Sequence, residues 1–174
     1  MISYKIIRSD RRTLALEICR DGAIVVRAPR KLPADKIQVF VESHAEWIAR
    51  STEKMRKKIR FNEQHFSTPE QIAALKRKAE EILPQKTEAW AAVMGVRPSG
   101  VRITNAQTRF GSCSSKNSIS FSCRLMAYPE NAIDYVIVHE LAHIRHKNHS
   151  PAFYAYIARF LPDYRQCEAI LKSN

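Results

Sequence analysis

Hydrophobic and polar positions alternate near the start of the chain. Leu14, Leu16 and Ile18 fall on one side of an extended segment and Thr13, Ala15 and Glu17 on the other; Ile24-Val25-Val26 follows after Arg20-Asp21-Gly22. Side chains of a strand alternate between faces, so the first 30 residues are predicted to form a β-hairpin or small meander with its turn at 20–22. Beyond Pro29 and Pro33 the period changes. Ile37, Phe40, Val41, Trp47 and Ile48 recur at helical spacing and define one apolar face. The basic run 54–60 should continue that helix or form a basic connector, and the polar stretch 61–68 reads as a linker. A second helix is expected from near Pro69, with Ile72, Leu75, Ala79, Ile82 and Leu83 in register. Pro84 should break or kink it, because proline lacks an N–H and its ring crowds the preceding turn. Gly95 should end it.

Val101-Arg102-Ile103 reads as a short strand, and Ser118 to Cys123 alternates strictly enough for a half-buried one. Residues 109–115 lie between them as a tight connection. Helix returns from Pro129 to about Arg145, again after Ser150-Pro151, and last near Gln166 to Lys172. The fold class expected is α+β: a small N-terminal antiparallel β module with a basic helix over 1–60, then a helical domain with a short antiparallel sheet over 61–174. There is no internal repeat and no low-complexity tract.

Composition narrows the class. The chain has 174 residues, 45% hydrophobic and 26% charged, with only 4 Gly and 8 Pro, a balance that excludes disorder as the main state. No stretch approaches the roughly 20 apolar residues of a membrane span, and the N-terminus lacks the layout of a secretory signal, so a cytoplasmic location is expected. Cys19, Cys113, Cys123 and Cys167 show no C-x-x-C pair and are expected to be buried free thiols. The net charge is +12, and residues 1–60 hold 15 Lys and Arg against 7 Asp and Glu. Such a field attracts acidic partners without specifying a reaction. Lys54, Arg56, Lys57 and Lys58 form the candidate nucleic-acid contact.

One segment carries candidate chemistry. His139-Glu140-Leu141-Ala142-His143 is an H-E-x-x-H pattern inside the run Ile133, Val136, Ile137, Val138, Leu141, Ala142, Ile144, apolar almost all round. A helix of that kind is buried, and its polar members need partners. Residues four apart in a helix lie about 6 Å along the axis and about 40° around it, so two imidazoles converge on one ion. Zinc accepts neutral imidazole nitrogens, and a catalytic site keeps three protein ligands and an open position. Glu140 is placed to act as a general base. His146, His149 and Glu168 compete as third ligand. A straight helix carries His146 along the rod, whereas a turn near Lys147-Asn148, with Asn148 suited to a left-handed conformation, brings His149 back.

These residues, with Arg109-Phe110-Gly111-Ser112-Cys113-Ser114-Ser115-Lys116 upstream and Asn148-His149-Ser150-Pro151-Ala152-Phe153 downstream, closely resemble the YgjP-like zinc metallopeptidases, relatives of the SprT and WLM zincins. The resemblance is strongest over about 100–165 and extends to the N-terminal hairpin, Ala28-Pro29-Arg30 and Trp47-Ile48. It implies a zincin-like catalytic domain in which His139, His143 and His149 hold one Zn2+ and Glu140 is the catalytic base. One departure is Phe110, where the family usually has Trp.

Zincin-like enzymes seat an extended substrate on an edge strand, and residues 118–123, with Ser118, Ser120 and Ser122, are the candidate. Gly111 would permit close approach at its entry. Arg109 is expected in a surface salt bridge, with oxyanion stabilisation as the alternative. The function expected is hydrolysis of peptide bonds, with recruitment to nucleic acid open. Its rivals are a metal-dependent ribonuclease, which shares the H-x3-H-x5-H spacing but has a small residue beside the first histidine, and a nucleic-acid-associated module with a structural zinc.

Overall fold

Alternation builds the first sheet, but the order of its strands follows from pairing at a distance. The computed structural model describes residues 2–19 and 21–173; Arg20, assigned above to the first turn, lies outside the described residues. The chain divides into two units, one reaching Glu63 and the other Gln64–Ser173.

In the first unit β2 (Ala15–Ile18) and β3 (Ile24–Pro29) form the expected antiparallel hairpin. Its turn closes through Gly22, whose φ of 84° suits a residue without Cβ. A third strand, β1 (Lys5–Ser9), pairs parallel to β3 from the other side, so the sheet is mixed with order β1-β3-β2. Val26 and Ala28 turn inward from β3 and pack with Ile37, Val41 and Ile48. The latter three come from two helices, α1 (Ala34–Ser43) and α2 (Ala45–Phe66), separated at His44. That break leaves Trp47 41% exposed instead of on the buried face. Helix α2 runs through residues 61–66, so the expected linker shrinks to Ser67-Thr68.

The second unit opens with α3 (Pro69–Met94), begun by a Thr68–Gln71 capping box and ended by Gly95 in the left-handed conformation. The helix runs on through Pro84. Both Pro84 and Glu80, whose carbonyl loses its partner, are exposed, while Leu83 and Thr87 face the core, so the missing hydrogen bond falls on the wet side. A second mixed sheet follows, made of β4 (Gly100–Thr104), β5 (Gly111–Cys113) and β6 (Ser118–Ser122) in the order β4-β6-β5. Strand β4 is parallel and β5 antiparallel to β6. The stretch 109–115, expected as a connection, therefore contains an edge strand. A 3-10 turn (Cys123–Ala127) leads into α4 (Glu130–Arg145), followed by α5 (Pro151–Ala158) and α6 (Tyr164–Ser173).

Helix α4 is the axis of this unit. Ile137, Val138, Leu141 and Ala142 are fully buried, packed with Leu83, Ile119, Phe121, Phe153 and Ile157. Each fully buried aliphatic or aromatic side chain of this size contributes about 1.5–3 kcal/mol, so the helix is held by its packing and not by propensity. Lys86 of α3 fixes its start, reaching Glu130 at 2.6 Å and Asp134 at 3.0 Å, while Trp90 donates to Asp134 at 3.1 Å. All four cysteines are free; Cys123 and Cys167 are buried as expected, whereas Cys19 and Cys113 are only half-buried. Among the described residues no helix is long and apolar enough to cross a membrane.

Candidate metal centre

Helix α4 presents His139 and His143 one turn apart, their ring centroids 5.0 Å apart. The chain leaves the helix at His146, which is extended (φ −123°, ψ 101°), and Pro151 then restarts helix. This exit does the work assigned above to Asn148: among the described residues other than glycine, only Asn117 has a positive φ. His149 is thereby folded back until its Nε2 lies 3.1 Å from His139 Nε2. The ligand atoms of His139, His143 and His149 all lie within 4.8 Å of one another. Tetrahedral coordination at 2.0–2.1 Å requires nitrogens about 3.3 Å apart, so the three imidazoles fit a common cation.

The protonation pattern fits as well. His143 Nδ1 lies 3.0 Å from the His146 carbonyl, which fixes a tautomer with Nδ1–H donating and Nε2 free to ligate. Burial, reinforced by the neighbouring imidazoles, lowers the His139 pKa to about 3. Burial likewise holds His143 below the ordinary value. Neutral imidazole is the form that binds metal.

Phe153 was not singled out as a functional residue by sequence reasoning. Fully buried on α5, it stands 4.9, 4.6 and 4.8 Å from the rings of His139, His143 and His149. Its position three residues into the helix opened by Ser150-Pro151 was the available signal. The other two ligand candidates are outside the cluster: His146 packs on Tyr156 at 5.4 Å, and Glu168 pairs with Lys172 at 2.7 Å on the wall of the adjoining cavity.

Glu140 points from the next position of α4 to the underside of β5. It is 6% exposed, and burial raises its pKa to about 7 against the opposing effect of Arg109. The fit is close enough that a side chain at 111 would displace Glu140, since a Cβ there would stand 2.6 Å from Glu140 Cγ and Oε1. A cavity of about 240 Å³ opens beside it, walled by Phe110, Gly111, Tyr135, Val136, Glu168 and Leu171 among others.

Ser118, Ser120 and Ser122 are not on an edge. Strand β6 is paired on both sides, so its main chain cannot accept a further strand. The edge is β5. The Phe110 carbonyl accepts from Ser122 N–H at 2.8 Å, and Ser114 N–H donates to the Ser118 carbonyl at 2.9 Å. Alternation along an antiparallel pair then turns the main-chain groups of Gly111 and Cys113 away from β6. Arg109 has no carboxylate within ion-pairing distance among the described residues, contrary to the salt bridge expected. Lys54, Arg56, Lys57 and Lys58 lie in the first unit, exposed on α2.

An α+β scaffold that gathers three imidazoles around one point has the form of a metal-binding centre. More particularly, the chain belongs to the YgjP-like family: that family's metallopeptidase domain matches residues 12–75 and 70–174. Membership implies a metal ion in the histidine cluster and peptides as the substrate class. Among solved structures the chain is similar to the metallopeptidase zymogen abylysin of Pyrococcus abyssi, at 20% identity over 51% of this chain and 90% of that one, with a TM-score of 0.47. It is also similar to the zymogen jannalysin of Methanocaldococcus jannaschii, at 19% identity over 52% and 90%, with a TM-score of 0.45. No curated protein matches.

Proposed function

We propose that this protein is a zinc-dependent peptidase in which His139, His143 and His149 hold one ion and Glu140 is the general base. The observation that carries the reading is the convergence of three imidazole ligands beside a buried carboxylate that lies under an edge strand. A zinc ion held there would polarise the scissile carbonyl and make water a nucleophile at neutral pH. The rest is the work of the chain. The outward main-chain groups of Gly111 and Cys113 take an extended peptide by strand addition. Glu140 accepts the proton of the attacking water on its carboxylate and returns it to the leaving amine. Among the described residues no fourth protein ligand joins the cluster, which favours catalysis over a closed structural site. Glu140 stands where the ribonuclease pattern has a small residue, which favours the peptidase over the nuclease.

The test is metal content and cleavage of an unstructured protein by wild type and Glu140→Gln. Both should carry about one zinc per chain, with turnover lost only in the variant; cleavage by zinc-loaded Glu140→Gln would overturn the assignment.

Recruitment to nucleic acid is the finer part of the proposal, supported by the exposed cations Lys54, Arg56, Lys57 and Lys58 on one helix. Charge reversal at these four positions should abolish DNA binding and its dependence on salt. Unchanged binding would remove the patch from the proposal.

A further inference from the structure

The outer face of the second sheet carries a polar cluster that the peptidase reading does not use. Register places Arg102 of β4, Ser120 of β6 and Ser112 of β5 in one row across the sheet, with Thr104 and Ser122 in the next. Together with Arg109 from the following loop they line a pocket of about 50 Å³.

Its polar groups fall into two sets. Ser122 Oγ donates to the Ala106 carbonyl at 2.7 Å, which ties the 105–109 loop to β6, and Thr104 Oγ1 donates to the Phe121 carbonyl at 3.2 Å between β4 and β6. The hydroxyls of Ser112 and Ser120 and the guanidiniums of Arg102 and Arg109 have no hydrogen-bond or ion-pair partner among the described residues. Two exposed guanidiniums line one pocket beside two uncommitted hydroxyls; the field of Arg109 also reaches the Glu140 carboxylate, but neither fork makes a direct ion pair among the described residues, and both are open to an acceptor of negative charge. A site holds a water from about 10–15 Å³ of such space, so this pocket has room for a small polar head such as a carboxylate.

Its place in the fold favours a side chain over a free ion. Gly111 lies in the pocket wall and also against Glu140, so the pocket flanks the strand that borders the catalytic carboxylate. A peptide added to the free edge of β5 sends alternate side chains to either face of the sheet, one set toward α4 and the other toward the face that carries Ser112.

We propose that Arg102, Arg109, Ser112 and Ser120 form an anion subsite that reads an acidic side chain of the peptide substrate. It rests on the peptidase reading for its substrate, and the experiment separates the two. Peptide pairs carrying Glu or Gln at each position around the scissile bond are compared with the zinc-loaded protein, and the same pairs are titrated into labelled protein while the arginine Nε–H and the Ser112 and Ser120 amide signals are followed by NMR. At one position the Glu peptide should be preferred about tenfold in kcat/KM, the order expected for a new charge-assisted contact. Arg102→Gln and Arg109→Gln should each draw that ratio toward one, and Arg102→Glu should shift the preference toward Lys. Only the Glu peptide should move the arginine signals. If it moves them while neither peptide is cut, the subsite stands and the peptidase reading falls. If both are cut equally and the signals stay still, the subsite is overturned and the peptidase reading stands. Inorganic phosphate moving the same signals, with no difference between the peptides, would make this a free-anion site and overturn the proposal.

Discussion

Gly111→Ala tests the placement of Glu140 without touching a metal ligand. The added Cβ would stand 2.6 Å from Glu140 Cγ and Oε1 and 2.8 Å from Cδ, whereas ordinary contacts begin at 3.4 Å. Relief demands a displacement of about 0.8 Å, shared between the carboxylate and β5. Glu140 is 6% exposed, and the room to swing aside lies in the adjoining cavity of about 240 Å³, away from its present position. A misplacement near 1 Å costs about 10²-fold in rate. The expected result is a loss of about two orders of magnitude in kcat with zinc content unchanged, measured by metal analysis and turnover of a quenched-fluorescence peptide. Gly100→Ala is the control, because a Cβ there meets nothing within 4 Å. Full activity in metal-loaded Gly111→Ala would refute the reasoning, since Glu140 could not then occupy this position in the working enzyme.

Two further predictions concern the frame of the site. Phe153→Ala should lower stability by about 3–5 kcal/mol in urea unfolding, because it empties a fully buried position, and should weaken zinc binding to the folded protein, because three imidazoles lose their common backing; unaltered zinc affinity of the folded variant would deny the support. The Lys86 ammonium donates to Glu130 and holds its carboxyl below the ordinary 4.5. The unfolded state therefore takes up that proton first as pH falls, so the pair's contribution is complete above about pH 4.5 and is lost as pH drops through the lower folded value. Lys86→Ala should shallow the acid limb of the stability profile, and an unchanged limb would show that Lys86 does not set it.

The elements were largely legible because their causes are local. Helix α4 could be bounded from its apolar run after Pro129, α5 from Ser150-Pro151, and the end of α3 from Gly95. The misplaced features share a cause. Trp47 was assigned to a buried face because period alone does not reveal a break at His44. Pro84 was expected to interrupt α3, yet whether a lost hydrogen bond is tolerated depends on which side of the helix meets water. Strand β5 is only three residues long, too short for alternation to register.

What the sequence by itself determined is the pair of histidines one helical turn apart with a carboxylate between them, with His149 six residues on as one of three candidates for a third ligand. Such features depend on backbone periodicity and on the few residues that interrupt it. Only the tertiary structure decided which strand is an edge, that β1 and β4 pair parallel to their neighbours, that Phe153 underlies all three imidazoles, that position 111 lies against Glu140, and that Arg102 and Arg109 line one pocket. Each of these is a contact between groups far apart in the chain, and its energy exists only once packing has brought them together.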